Sequence, residues 1–277
     1  MAEQTSQIAA LFGDWPETLI WTCLEDRMGQ VYADDDQSPQ SALALYGRQS
    51  FFAFLAGKPD AALLRKCEGK DIILVPQDQA WADLIESQYG HRVRLFTRYA
   101  TKKDTLFDRE QLQSLVKSLP EGFEVKSIDR SLYEACLAEA WSQDLVGNYA
   151  DFEQFATFGL GYLVLHKGQV VSGASSYASY SGGIEIEVDT REGYRGQGLA
   201  TICAAKLILT CLERGLYPSW DAHTLTSLKL AEKLGYELDK AYQAYEWRED
   251  DTDIYLGFGW NALGFLRGHF GWYPRNL

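Results

Sequence analysis

One stretch decides the fold: from Ile184 to Ala200 the chain reads IEIEVDTREGYRGQGLA. Its first seven residues alternate strictly, with three apolar side chains on one side and three acids on the other, which is the period of a β-strand. A glycine-punctuated turn follows, and the segment from Leu199 to Arg214 is apolar on most faces, which predicts a buried helix. The stretch is therefore predicted to be a strand–turn–helix unit.

The turn in this unit is suited to bind a phosphate. Gly196 and Gly198 let backbone N–H groups approach a ligand without interference from a Cβ atom. A helix that begins near Leu199 leaves about four N–H groups unpaired in its first turn, and its dipole adds about half a positive charge there. We therefore expect a pyrophosphate on the segment Arg195-Gly196-Gln197-Gly198-Leu199-Ala200.

Other interpretations of the turn compete with this one. The P-loop pattern GxxxxGK(S/T) is absent from the sequence. The dinucleotide fingerprint GxGxxG lacks its third glycine, because Thr201 occupies that position. Asp221, about 20 residues later, does match the acidic residue that this motif requires. A Rossmann first strand should also be continuously apolar, whereas residues 184–190 carry an acid at every second position. A nucleotide-dependent oxidoreductase and a purely structural glycine turn remain as alternatives.

The rest of the chain predicts an α/β protein with a mixed sheet and two parts. Its 277 residues suggest two domains, and Leu119-Pro120-Glu121-Gly122 is the candidate boundary. Residues 1–119 are predicted to form a smaller N-terminal α/β domain, and residues 120–277 the domain that contains the phosphate turn. In that second domain we expect a hairpin at Lys167-Gly168, a strand over 216–221 and a helix over 225–234.

Composition narrows the class of protein. The net charge of −13 argues against a nucleic-acid binder, which usually has a basic face. The charge serves either solubility or the attraction of a cationic substrate such as an amine. No zinc-ligand spacing and no apolar run long enough to span a membrane is present. Five scattered cysteines are typical of free thiols in a reducing compartment. We expect a cytoplasmic protein that acts without a metal.

The phosphate turn also carries a family signature, Q/R-x-x-G-x-G/A, which Arg195 to Ala200 fill. A polar-faced strand precedes it, and a helix ending Ala231-Glu232-Lys233-Leu234-Gly235-Tyr236 comes later. In these features the chain resembles the GNAT N-acetyltransferase superfamily. The resemblance implies two neighbouring core strands that splay apart, with the pantetheine arm of acetyl-CoA in the gap.

The resemblance is closer to the GNAT acetyltransferases that include zwittermicin A resistance-type proteins, and it covers most of the chain, from residues 29–34 to residues 217–223. It implies transfer of an acetyl group from acetyl-CoA to the amine of a small molecule, and it is compatible with a homodimer. The cofactor contacts expected on this basis are Val188, Thr190, Arg195, Gly196, Gln197, Gly198, Leu199, Ala200, Thr201, Thr224 and Ser227.

Two positions depart from the superfamily pattern. Thr224 stands where an asparagine often holds the cofactor arm, and a hydroxyl cannot replace both the donor and the acceptor of an amide. Ala231 stands where many members place a tyrosine that returns a proton to the thiolate. These departures favour the alternative that the chain is a non-catalytic acyl-CoA-binding sensor or partner-binding module.

Direct transfer needs a base to deprotonate the amine, and the acids of the decisive strand are the first candidates. Glu187 is preferred as base or water relay because it is nearer the turn than Glu185, and a backbone N–H near Val188 is the expected oxyanion donor. His223 is a candidate proton shuttle. Trp220 and Asp221 end the next core strand, where the acceptor should enter. For the acids, a solvated strand face or an ion pair is the structural alternative.

The segment from Ile254 to Leu277 is rich in aromatic residues. It is expected to pack on the second domain, or alternatively to form a subunit interface or a wall of the substrate site.

Overall fold

The computed structural model describes residues 2–48 and 51–247, which form a mixed α/β fold of two β-sheets covered by helices. The aromatic segment from Ile254 to Leu277 lies outside the described residues. The strands are β1 (Gln30–Ala33), β2 (Ser41–Gly47), β3 (Phe51–Gly57), β4 (Ile72–Pro76), β5 (Val93–Thr101), β6 (Phe123–Ser127), β7 (Gly161–His166), β8 (Gln169–Tyr180), β9 (Gly183–Thr190), β10 (Tyr217–Ser219), β11 (Asp221–Ala222) and β12 (Leu238–Trp247). The helices are α1 (Ala2–Phe12), α2 (Thr18–Leu24), α3 (Ala61–Arg65), α4 (Gln79–Tyr89), α5 (Arg109–Lys117), α6 (Arg130–Leu137), α7 (Phe152–Phe158), α8 (Leu199–Glu213) and α9 (Leu225–Lys233).

The two sheets divide the strands seven to five. The larger sheet has the order β1-β2-β3-β4-β12-β5-β11, and the smaller has the order β10-β9-β8-β7-β6. The pairs β3–β4 and β9–β10 are parallel, and the other pairs are antiparallel. Strand β12 lies between β4 and β5, so strands from both sides of residue 120 share one sheet.

The strands splay apart where the smaller sheet ends. Strand β10 pairs with β9 only as far as Ser219 opposite Glu185. Two residues later, beyond Trp220, Asp221 pairs with Ala100 of β5 in the other sheet. The single strand predicted over residues 216–221 is therefore two short strands in different sheets, and the splayed core strands that the resemblance implied are confirmed.

The two sides of β9 pack against different parts of the chain. Its apolar side, with Ile184 and Ile186, joins a core built mainly from α8, which is why that helix is apolar on most faces. Its acidic side faces α2 and the 3₁₀ turn Gln143–Leu145, which lie between the two sheets. The acidic side of this strand is therefore covered by α2 and by residues 143–145.

The helices differ in whether a side chain caps their first turn, and this difference determines which helix has N–H groups available for a ligand. Five helices, α3 to α7, follow an aspartate whose side chain accepts a first-turn N–H, and Thr224 does the same for α9. Such caps stabilise a helix by about 1 kcal/mol each. Helix α8 instead follows Gly198, without a side-chain cap and without an acid in its first turn. Its first N–H groups are left for a ligand or for water.

Candidate active site

The phosphate turn has the conformation that its glycines require. Gly196 and Gly198 have φ angles of +77° and +80°, and the space where a Cβ atom would lie is open at both positions. Arg195 Nε donates to Thr190 O at 3.1 Å and Gln197 Nε2 donates to Gly193 O at 3.4 Å, so both side chains brace the turn from within. An exposed, glycine-lined turn before an uncapped helix fits a diphosphate group.

Beyond the last pair with β10, β9 carries two N–H groups that bond to side chains. Val188 N donates to Glu187 Oε1 at 3.1 Å, and Thr190 N donates to Asp189 Oδ1 at 2.6 Å. Because N–H groups two residues apart point to the same edge of a strand, both face the gap opened by the splay. Each donor is therefore held by the carboxylate of the residue before it.

The carboxylates at this edge are partly buried and close to one another. Burial raises the pKa of Glu187 to about 8, with further contributions from the nearby carboxyls of Asp144 and Asp189. Burial also raises the pKa of Asp189 to about 6, although its bond from Thr190 N acts in the opposite direction. Burial, and then the charge of Asp71, raises the pKa of Asp144. The edge thus contains carboxyl groups whose ionised form is disfavoured by burial and by their mutual repulsion, and an approaching cation would favour that form.

Glu185 lies on the same acidic side of β9, farther from the turn. We call the buried region around Glu185 and Glu17 the deep end of the gap. Glu185 is 6% exposed, and its Oε2 accepts a hydrogen bond of 2.5 Å from Thr18 Oγ1 at the start of α2. Its Oε1 is buried and has no hydrogen-bond partner among the described residues. Glu17 precedes Thr18 and is 4% exposed. Burial raises the pKa of Glu17 to about 8, with a further contribution from Asp221.

A buried ion pair lies opposite β9 across the gap. Arg98 Nη2 is 2.6 Å from Asp221 Oδ1, and Tyr242 Oη donates to Asp221 Oδ2 at 3.0 Å. Arg98 Nη1 also lies 3.0 Å from His223 Nδ1, which accepts because a guanidinium can only donate. Burial, and then the charge of Arg98, lowers the pKa of His223 to about 4. His223 is therefore neutral at pH 7 and a weak base.

Lys103 lies near the point where the core strands diverge and interacts with residues on both sides of the gap. Its Nζ donates to Ser219 Oγ at 2.6 Å, one strand position before Trp220. Burial lowers the pKa of Lys103, but the carboxyls of Glu185 and Glu17 outweigh this effect and raise it. Lys103 thus stays charged beside the deep end of the gap.

Other residues expected at the site take structural contacts. Trp220 is 3% exposed, packs against Tyr236 and donates from its indole Nε1 to Ser227 Oγ at 3.1 Å. Thr224 caps α9 by accepting from Ser227 N at 3.1 Å. These contacts fix the start of α9 beside β11. The cofactor roles of Thr224 and Ser227 and the substrate role of Trp220 stay predictions.

Sequence reasoning missed five residues that the fold brings to the gap, namely Glu17, Thr18, Arg98, Lys103 and Asp144. None belongs to a motif, and Thr18 is 167 residues from the carboxylate to which it donates. The one available signal was Arg98, a charged residue in a partly alternating strand at a position that is 6% exposed. Such an inward charge needs a partner, which the structure supplies in Asp221.

The described residues, 2–48 and 51–247, also bear on metal binding, membrane insertion and thiol chemistry. In that part of the chain no group of acids, histidines or cysteines is arranged to hold a metal, and no helix is long and apolar enough to cross a membrane. The five cysteines are buried free thiols. Burial raises their pKa values to about 12, which makes them poor nucleophiles at neutral pH.

Comparisons with known proteins agree with this geometry. Residues 9–245 match the GNAT acetyltransferase family. The chain is 28% identical over 257 residues to the uncharacterized N-acetyltransferase YdfB of Bacillus subtilis, covering 87% of this chain and 94% of that one. It is also 76% identical to a GCN5-related N-acetyltransferase-like protein from Streptococcus suis of known structure, with a TM-score of 0.88 and coverage of 90% and 100%.

A more distant structure shares the fold alone. It is a GCN5-related N-acetyltransferase from Kribbella flavida, with 18% identity, a TM-score of 0.52 and coverage of 91% of this chain and 97% of that one. The match over residues 9–245 spans most of the sequence, including the turn, the splayed strands and the N-terminal segment. The chain is an acyltransferase and belongs to the GNAT acetyltransferase family.

Proposed function

We propose that the protein transfers the acetyl group of acetyl-CoA directly to the amine of a small molecule, with Glu187 as the general base. The observation that carries this proposal is the position of Glu187 beside the Val188 N–H at the open edge of β9. A base and an oxyanion donor are thereby adjacent on one strand. GNAT enzymes generally use acetyl-CoA, and the uncapped start of α8 supports the same cofactor here.

The cofactor is proposed to run from the phosphate turn along the open edge. Backbone N–H groups of Gly196, Gly198 and the first turn of α8 hold the diphosphate. The N–H groups of Val188 and Thr190 then face the pantetheine arm and the thioester. These two donors are bonded to Glu187 and Asp189, so cofactor binding exchanges those carboxylates for the ligand.

This exchange links cofactor binding to the base. Once Val188 N–H stabilises the charge that develops on the acetyl oxygen, the Glu187 carboxylate is released toward the acceptor amine. A pKa of about 8 places Glu187 near the operating pH, which suits proton transfer. His223 is a weaker candidate because its pKa is about 4 and its Nδ1 is bonded to Arg98.

The acceptor is proposed to enter from the side formed by the N-terminal segment. Residues 1–119, expected to form a separate domain, supply Thr18 and Arg98 to the gap, so we infer that they shape the acceptor cleft. The resemblance to zwittermicin A resistance-type proteins and the net charge of −13 both favour a small, cationic amine.

Two measurements test this function. Calorimetry with coenzyme A tests the cofactor site, and release of free thiol from acetyl-CoA across a panel of amines tests catalysis. Binding of the cofactor together with amine-dependent thiol release is the expected result. No detectable heat at millimolar coenzyme A would remove the assigned turn, and no release with any amine would remove the proposed reaction.

A further inference from the structure

The deep end of the gap contains a half-satisfied carboxylate. Glu185 is 6% exposed, and its Oε2 is bonded to Thr18 while its Oε1 lacks a partner among the described residues. A buried carboxylate oxygen without a donor is costly, and native proteins rarely keep one without a reason. The described residues therefore leave Glu185 Oε1 without a donor, and a bound ligand can supply one.

The missing donor should carry positive charge. Glu17 lies beside Glu185, and both are buried. Of the two nearby cationic side chains, Arg98 is bonded to Asp221 and Lys103 Nζ is directed to Ser219 Oγ. The charge of Lys103 acts on both carboxyls. The deep end thus contains two carboxyls and one ammonium, and among the described residues that ammonium is hydrogen-bonded to Ser219 and to neither carboxyl. An ammonium has three N–H donors and fits such a pair.

This place has a defined distance from the reacting amine. Glu185 and Glu187 are two residues apart on the same side of β9, which separates them by about 7 Å. We propose that the acceptor carries a second ammonium group, which Glu185 and Glu17 bind about 7 Å from the amine that is acetylated. This inference rests on the proposed function, because it takes Glu187 as the position of the reacting amine.

Proton release on binding is a second consequence. Glu17 has a pKa of about 8 in the free protein, so it is mostly protonated at pH 7. An ammonium placed beside it favours the ionised form, so binding of a diamine should release up to about one proton. A monoamine of the same length, which has a methyl group at this end, should release none from Glu17.

The test compares putrescine with pentylamine, its monoamine counterpart in length, on the enzyme saturated with coenzyme A. Calorimetry in two buffers of different ionisation enthalpy gives both affinity and proton release. We expect putrescine to bind at least about tenfold more tightly, since a charge-assisted hydrogen bond contributes that much or more. Equal affinity, or equal proton release by both amines, would overturn the proposal.

Variants assign the effect to the carboxyls. Glu185→Gln and Glu17→Gln should each lower the preference for putrescine by about 10- to 100-fold. Glu25→Gln is the matched control, because Glu25 is an exposed carboxylate of the same segment that accepts from Ser181 N at 2.7 Å, and it should keep the preference. If Glu185→Gln fails to fold, Glu17→Gln still decides. An undiminished preference in the folded variants overturns the proposal, whereas absence of coenzyme A binding would instead refute the proposed function.

Discussion

Replacement of Glu187 by glutamine should change both the rate and its dependence on pH. Glutamine keeps the size and can still accept from the Val188 N–H, but it cannot take a proton from the amine. Loss of a general base costs about 10²- to 10⁴-fold in kcat. A base with a pKa of about 8 is about one-eleventh ionised at pH 7 and about ten-elevenths ionised at pH 9. The ionised fraction of Glu187 therefore rises about tenfold between these pH values.

The assay is the initial rate of thiol release with one amine, measured for the wild type and for Glu187→Gln from pH 6.5 to about 9.5. Because ionisation of the amine affects both proteins equally, the ratio of their rates isolates Glu187, and it should rise about tenfold from pH 7 to pH 9. Glu25→Gln is the control: Glu25 is an exposed carboxylate that accepts from Ser181 N, away from the reacting groups, so its ratio should stay flat. A flat ratio for Glu187→Gln would refute its role as the base.

Three further outcomes follow from the structure. Gly198→Val forces a branched side chain to a φ of +80° and should weaken coenzyme A binding, measured by calorimetry, at least about tenfold. Gly122→Val, at a φ of +85° in a remote turn, is the control and should leave the affinity unchanged. Equal affinities of the two variants would contradict the assigned turn. The pKa of Glu17 is about 8 when folded and near 4.5 when unfolded, so its protonation stabilises the fold at low pH, and this contribution is lost as the pH rises through about 8. Glu17→Gln should therefore lose less stability than the wild type between pH 5 and pH 8 in urea unfolding, and an identical loss would refute this assignment. Asp221→Asn leaves the buried Arg98 without its counter-ion and should lower the free energy of unfolding by about 3–5 kcal/mol. A loss of under about 1 kcal/mol in chemical denaturation, which is the value of an exposed ion pair, would disprove this prediction.

Local patterns predicted the elements with strong periodicity or specific turns. The helix expected over 225–234 is α9, which ends one residue earlier, and the hairpin turn at Lys167-Gly168 has the positive φ angles of +52° and +79° that such a turn needs. The strand over 184–190 and the helix after it were likewise evident from alternation and from the glycine turn. Helices α3 and α7 were missed because five and seven residues are too few to show a helical period.

The arrangement of the site was less accessible to sequence. Alternation identified Glu185 and Glu187 as one side of a strand, but it could not show that α2 covers this side, since the covering contacts join residues more than 150 positions apart. The break between β10 and β11 also depends on which sheet each half pairs with, and a stretch of six residues has no local signal for that choice. Long-range packing thus decided the buried acids, the ion pair of Arg98 and the position of Lys103.

The position of β12 between β4 and β5 determines when the larger sheet can form during synthesis of the chain. The two neighbours are complete once residue 101 has left the ribosome, yet the strand that joins them begins only at Leu238. Until then each neighbour has an unpaired edge, and such edges are templates for aggregation. The larger sheet can therefore close only after β12 has been synthesised, and a product truncated before Leu238 should be a substrate for chaperones or proteases rather than a partly active enzyme.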